Sequence, residues 1–296
     1  MRRWTKNTFI YYLTRVTINL FGLVPTRLVT HIGRWLGALA YSVARRERLL
    51  ARQNLAAALG IEIDSPRAHL LARGVFFELG VSAIELCRVH RSRNTVPQIV
   101  IPEASRQALD RALAEDKGVI FVTGHIGNWE LMALTLAGLG YPISTVAKES
   151  YDSRFTRLID RFRKRSGVEA IYRGQPGASA AMLRTLRKNR VLGFLIDQDT
   201  RVPGTFVPFF GRLAHTPVGP AVFALRSGAP VVVGSIRRTV NGCHIVEITR
   251  CLIPEDVDAA TAELTRQLES RIRRHPSQWV WFHRRWKTQP SKENAA

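Results

Sequence analysis

The chain is short of acid. It carries 23 aspartates and glutamates against 44 lysines and arginines, a formal charge of +21. So large an excess points to a polyanionic partner: nucleic acid, an anionic bilayer surface or an acidic protein. Cysteine is scarce too. Cys87, Cys243 and Cys251 are odd in number and lack metal-ligand spacing, which argues against a disulfide framework and reads as reduced thiols of a cytoplasmic-side protein. Repeats and low-complexity segments are missing, apart from a polar C-terminal tail, so neither a solenoid nor a disordered chain is expected. There is no Gly-x-Ser-x-Gly elbow, phosphate-cradling glycine loop or metal cluster, and no cofactor is expected.

Long hydrophobic runs are also lacking. Thr8 to Val24 is apolar, but Arg15 and Asn19 interrupt it and no small-residue cleavage site follows; it suits neither a spanning helix nor a signal peptide. Phe9, Leu13, Val16, Leu20 and Leu23 recur at helical spacing. Leu28, Ile32, Trp35, Leu36, Leu39 and Val43 make a second stripe, ending in Arg45-Arg46-Glu47-Arg48. Such stripes fit a helical hairpin lying among lipid headgroups, and equally a pair of core-packing helices with a solvated charged end. Helical periodicity continues over Leu50–Leu59 and Pro66–Val89, with Gly60 and Gly80 as possible breaks. Residues 1–95 are therefore expected to form an N-terminal helical membrane-associating region, 96–290 an α/β domain and 291–296 a disordered tail.

From Pro102 onward the pattern alternates. Strands are expected at Gly118–Thr123, Ile143–Ala147, Glu169–Tyr172, Val191–Ile196, Pro230–Ile236 and His244–Thr249, with helices of ten or so residues between them. Thr216-Pro217 gives an N-cap with proline at the first helical position, and Thr200 to Leu213 reads as a loop. The fold class that follows is α/β: a mixed, mostly parallel central sheet flanked by helices.

The organising stretch is Gly118 to Glu130. Val119 to Val122 is an unbroken apolar run, as in a strand buried on both faces, and Trp129 opens a helix-like segment. His125 thus sits at a strand-to-helix corner, where α/β sheets place their crevices. A lone histidine there is more often structural, and Glu130 in a first helical turn complements the dipole without any chemistry; a carboxylate–imidazole contact between the two is the alternative. Asp197-Gln198-Asp199 ends another buried strand. There an acid can order a loop, orient a base or bind a hydroxyl. Phe206, Phe209 and Phe210 need burial in the core or along an acyl-chain groove. Arg154, Arg157, Arg161, Arg163, Lys164 and Arg165 crowd one helix, and some suit phosphate oxygens. Trp279 to Thr288 interleaves aromatics with cations, a pattern that could stack bases, anchor at a membrane or pack as a C-terminal strand.

Taken as strings, three of these blocks resemble one family. His125-Ile-Gly-Asn-Trp-Glu130, Asp197-Gln-Asp199 with Phe206-Val-Pro-Phe-Phe-Gly211, and Trp281-Phe-His-Arg-Arg-Trp-Lys-Thr288 are similar to signatures of the bacterial lipid A biosynthesis acyltransferases, of the lysophospholipid acyltransferase superfamily. The resemblance covers roughly residues 20 to 290. It implies transfer of a fatty acyl group from an acyl thioester, usually on acyl carrier protein, to a hydroxyl of a lipid A precursor or related glycolipid. His125 would be the base and Glu130 the acid that fixes its tautomer. N–H groups around Gly127 and Asn128, or a nearby arginine, would hold the oxyanion. Asn128, Arg163, Arg165, Asp197, Phe206, Phe209 and Phe210 are the expected substrate-binding residues, and His283 is expected to be structural. The expected partners are acyl carrier protein, the glycolipid acceptor and the anionic inner-membrane surface on its cytoplasmic face, not nucleic acid. The N-terminus departs from the family's cleaner apolar anchor at Arg15 and Asn19, favouring membrane binding over spanning. An acyl-CoA-dependent enzyme for a phosphatidylinositol mannoside is the alternative within enzymes; a basic nucleic-acid-binding protein is the alternative outside them.

Overall fold

A computed structural model describes residues 2–92 and 95–290. Four helices come first: α1 (Arg2–Phe21), α2 (Thr26–Val43), α3 (Arg45–Leu59) and α4 (Pro66–Arg91). Ser65 starts α4, its hydroxyl accepting from Ala68 N at 3.2 Å with Pro66 next in line, the usual way to satisfy an orphan helical N–H. Gly80 does not break α4. A Cβ there would lie 2.2 Å from the Gly33 carbonyl oxygen of α2, so the glycine serves the close approach of two helix backbones. Among the described residues no helix is long and apolar enough to cross a membrane.

The rest is an α/β layer structure. In chain order it comprises β1 (Ile99–Val100), α5 (Glu103–Leu113), β2 (Val119–Thr123), α6 (Trp129–Gly138), β3 (Ile143–Ala147), α7 (Ser153–Arg165), β4 (Glu169–Tyr172), α8 (Ala178–Arg187) and β5 (Val191–Leu195). Then follow β6 (Gly204–Phe209), β7 (Arg212–Pro217), α9 (Gly219–Ser227), β8 (Val231–Arg238), β9 (His244–Cys251) and α10 (Val257–Arg274). Seven strands form the main sheet in the order β1-β9-β8-β2-β5-β3-β4. Every pairing is parallel except β8 with β9, in agreement with the mixed, mostly parallel sheet expected.

Strand β2 lies at the centre with all its residues buried. Its period of two divides the interior. Ile120 and Val122 join a core with Leu55 of α3, Leu268 of α10 and Trp279 and Trp281 of the C-terminal segment. Val119 and Phe121 join the opposite core with Leu109 of α5 and Leu131 of α6. The N-terminal helices therefore share the core of the sheet, while α1 and α2 keep an apolar face outward: Val16 is 62 % and Trp35 64 % exposed.

Three local expectations are corrected. Within Thr200–Leu213 there is a hairpin, β6 pairing antiparallel with β7, turned by Phe210 (φ 54°) and Gly211 (φ 72°) as hairpin twist requires. Thr216-Pro217 ends β7 instead of opening a helix; α9 starts after Val218, with Pro220 in its first turn. The segment from Trp279 is no strand either, contributing one isolated bridge to Ile126. The tail expected over 291–296 lies outside the described residues.

Candidate active site

Register builds the site. Strands β2 and β5 are parallel neighbours, with Thr123 opposite Leu195. His125 and Asp197 each lie two residues beyond these paired ends, so the sheet delivers them side by side at its C-terminal edge, where such sheets bind ligands. His125 Nδ1 is 2.8 Å from Asp197 Oδ1, and the His125 backbone N–H donates to Oδ2 at 2.6 Å. Trp279 Nε1–H donates to the same Oδ2 at 2.7 Å. Gly124 makes room, since a Cβ there would meet Asp197 Oδ2 at 2.8 Å.

Asp197 is buried, which by itself raises a carboxyl pKa. The charge of His125, its side-chain hydrogen bond, that of Trp279 and the backbone N–H win, and hold the carboxyl far below the usual carboxylate range. An ionised Asp197 keeps the proton on Nδ1 and leaves Nε2 with a free lone pair. In this structure Gln198 Nε2 covers that lone pair at 3.1 Å and reaches His283 Nε2 at 2.7 Å. The two imidazole rings stand 5.1 Å apart. Burial, then the nearby His125, pushes His283 down to about 4, so it stays neutral beside the base.

The exposed side of His125 faces a cavity of about 770 Å³, within the size range of small-molecule clefts. Ile159, Met182, Leu183, Phe194, Val222 and Phe223 give it an apolar wall, and Lys148, Arg163, Arg173, Arg201 and Arg226 bring cations to it. Partial burial lowers the Arg173 pKa. Among the described residues Glu130 is the one carboxylate on the lining.

Several sequence expectations change here. Glu130 does not touch His125. It grips Arg163 of α7, with Arg163 Nε donating to Oε2 at 3.1 Å and Nη2 to Oε1. Burial works against the Arg163 charge, but the bonds to Glu130 outweigh it and raise the pKa. The acid on the imidazole is Asp197, whose pairing depends on strand order and not on chain proximity. Arg165 lies off the cavity, because two residues along a helix turn the side chain about 200°. Asn128 is buried; it caps α6 by accepting from Leu131 N at 3.3 Å and donates to Glu85 Oε2 at 3.0 Å, so it faces the core and not the cleft. The Gly127 N–H is given to the Gln278 carbonyl at 2.7 Å and is no free oxyanion donor.

Phe209 and Phe210 are buried among Trp279, Trp281 and Trp286, and Phe206 packs edge-on to His215. The phenylalanines on the cavity are Phe194 and Phe223, stacked 6.0 Å apart. Trp279 and Trp281 are fully buried and offer no face for stacking bases. Sequence reasoning passed over Gln198 as a functional residue and set His283 aside as structural. The one signal for Gln198 was its place between two acids at a strand end.

The sequence profile described as bacterial lipid A biosynthesis acyltransferase matches residues 2–288. The chain is 26% identical over 293 residues to the lipid A biosynthesis palmitoleoyltransferase of Escherichia coli (strain K12), covering 96% of this chain and 94% of that one. It is 25% identical over 293 residues to the lipid A biosynthesis lauroyltransferase of the same organism, covering 95% and 93%. A phosphatidylinositol mannoside acyltransferase of Mycobacterium tuberculosis (strain CDC 1551 / Oshkosh) is 28% identical over 193 residues, 64% of this chain and 60% of the relative.

Proposed function

The chain belongs to the bacterial lipid A biosynthesis acyltransferase family, and from that premise we propose that it moves a fatty acyl group from an acyl thioester to a hydroxyl of a lipid A precursor or related glycolipid. The observation that carries this reading is His125, its Nδ1 tied to buried Asp197 and its ring lining a cavity with apolar walls. An alcohol is a weak nucleophile at neutral pH. His125 Nε2 takes its proton as the oxygen attacks the thioester carbonyl carbon, the C–S bond then breaks, and the proton passes to the departing sulfur. Asp197 keeps the ring in the right tautomer and stabilises the imidazolium. To admit the hydroxyl, the Gln198 amide must leave Nε2; its N–H is then free to donate to the developing oxyanion. Glu130 steadies Arg163 on the cavity wall, where the guanidinium can meet a phosphate or sugar acid of the acceptor.

The donor we propose is acyl carrier protein, an acidic protein suited to the +21 surface. We also propose that the chain works on the cytoplasmic face of the inner membrane, with the outward apolar faces of α1 and α2 among the headgroups. Similarity to the mycobacterial enzyme supports a second reading, in which the acceptor is a phosphatidylinositol mannoside and the donor acyl-CoA.

The test offers labelled acyl carrier protein or acyl-CoA with a tetraacylated lipid A precursor or a phosphatidylinositol mannoside. Transfer that disappears in His125→Ala, and falls further in Asp197→Asn than in Glu130→Gln, is the expected outcome. Undiminished transfer by His125→Ala would remove the base assignment, and the preferred pair of substrates chooses between the two readings.

A further inference from the structure

A second, smaller cavity of about 190 Å³ lies where α1, α4 and α7 meet, on another side of α7 from Arg163. Arg15 and Asn19 of α1, His90 of α4, and Arg161 and Arg165 of α7 point to it, over Ile18 and Leu158. Both α1 residues and both α7 residues are spaced four apart, which stacks each pair on one helix face. Among the described residues no carboxylate lines the cavity. Elsewhere on α7 two arginines are neutralised, Arg154 by Asp152 and Arg163 by Glu130. Here Arg161 donates to the Arg157 carbonyl at 3.2 Å and Arg15 lies 6.0 Å from the Tyr11 ring centre, and neither contact offsets a charge.

Helix dipoles account for only part of this crowding. Each C-terminal end presents roughly half a negative charge, so three ends together supply about one and a half against three guanidiniums. The remainder is positive, and His90 registers it: burial first, then Arg165 and Arg161, lower its pKa. The volume is several times the roughly 30 Å³ of a liquid water, enough for one tetrahedral anion.

We propose that this cavity is a binding site for a phosphate ester, carried by a membrane phospholipid headgroup or free in solution. Guanidinium forks match phosphate oxygens, and the Asn19 amide and the His90 ring can each supply an N–H. Val16 and Leu20 are exposed on α1 and Leu23 just past its end, so a headgroup bound here can lay its acyl tails along an apolar stripe. Occupancy joins α1 to α7, the helix that carries Arg163. The site stands apart from acyl transfer and can be tested without it.

The full chain is titrated in two arms. In the first, inorganic phosphate is added at ionic strength matched with potassium chloride while the histidine ring signals are followed by NMR against pH. The His90 pKa is expected to rise, with His31 and His69 as internal references, and the rise to vanish in the double variant Arg161→Gln/Arg165→Gln. In the second, phosphatidylcholine vesicles with and without phosphatidylglycerol are floated with the protein. Binding to the phosphatidylglycerol vesicles should weaken about fivefold for each arginine removed at the site, and less in the charge-matched control Arg106→Gln/Arg111→Gln on α5. A response in the vesicle arm alone names a lipid headgroup as the source, and in the phosphate arm alone a soluble phosphate. An unmoved His90 together with equal losses in the two double variants overturns the site.

Discussion

Among the described residues two imidazoles lie within about 3 Å of a carboxylate, His125 with Asp197 at 2.8 Å and His244 with Glu85 at 3.0 Å. Their surroundings give them different work. His244 is fully buried, its Nδ1 has no partner among the described residues, and its Nε2 lies 3.0 Å from Arg238 Nη1 as well as from Glu85. Arg238 in turn holds Glu85 and Glu78, so this cluster braces α4 against β8 and β9. Burial raises the Glu85 pKa, but the His244 and Arg238 bonds reverse that and bring it to about 2. His125 has the same chemistry on one side and an open cavity on the other. A histidine–carboxylate contact is therefore not a catalytic signature by itself; whether the ring borders a cavity decides.

The largest expected effect separates the two histidines by assay. Replacing His125 by alanine should lower kcat/KM by about 10²–10⁴-fold, the usual share of a general base, with a smaller effect on denaturant unfolding. Replacing His244 by alanine should do the reverse, and equal activity losses would dissolve the distinction. Next in size, Glu85→Ala leaves Arg238 short of its main partner in a buried site and should cost about 3–5 kcal/mol in urea unfolding. A loss below about 1 kcal/mol would mean that Glu78 suffices.

Acid sharpens the comparison further. The His283 pKa is 6.5 unfolded and about 4 folded. As pH falls from 6.5 toward 4 the unfolded chain takes up a proton that the folded one refuses, so stability is lost over that window, by about 3 kcal/mol in all. The carboxylates act lower. Asp197 and Glu85 contribute stability above their unfolded pKa, and it is lost as pH falls through the range below about 4. His283→Gln should flatten the unfolding free energy between pH 6.5 and 4 and leave the steeper acid limb in place. Smallest is the effect of Gln198→Glu. A carboxylate beside His125 Nε2 favours the imidazolium, so the acid limb of the kcat/KM profile should move to higher pH with unfolding little changed. An unmoved limb would separate Gln198 from the base.

Much of this was legible in the chain. The apolar run Val119–Val122 between glycines named the central strand, and the alternation after Pro102 named the α/β class. The hairpin β6–β7 was not legible, because a proline and a Phe-Gly turn within it read as loop chemistry. Glu130 was paired with His125 on the strength of the resemblance, whereas α6 carries its side chain across to Arg163 of α7. Phe209 and Phe210 were assigned to an acyl groove because sequence cannot say which buried face an aromatic joins.

By itself the sequence determined the composition of the site: a histidine after a buried strand, an acid after another, and a surplus of cations. The tertiary structure alone decided the partnerships, because strand order in a parallel sheet is set by crossovers of many residues, which leave no periodic trace. The neighbouring of β2 and β5 turned Asp197 toward His125, and the packing of α7 on α6 gave Glu130 to Arg163.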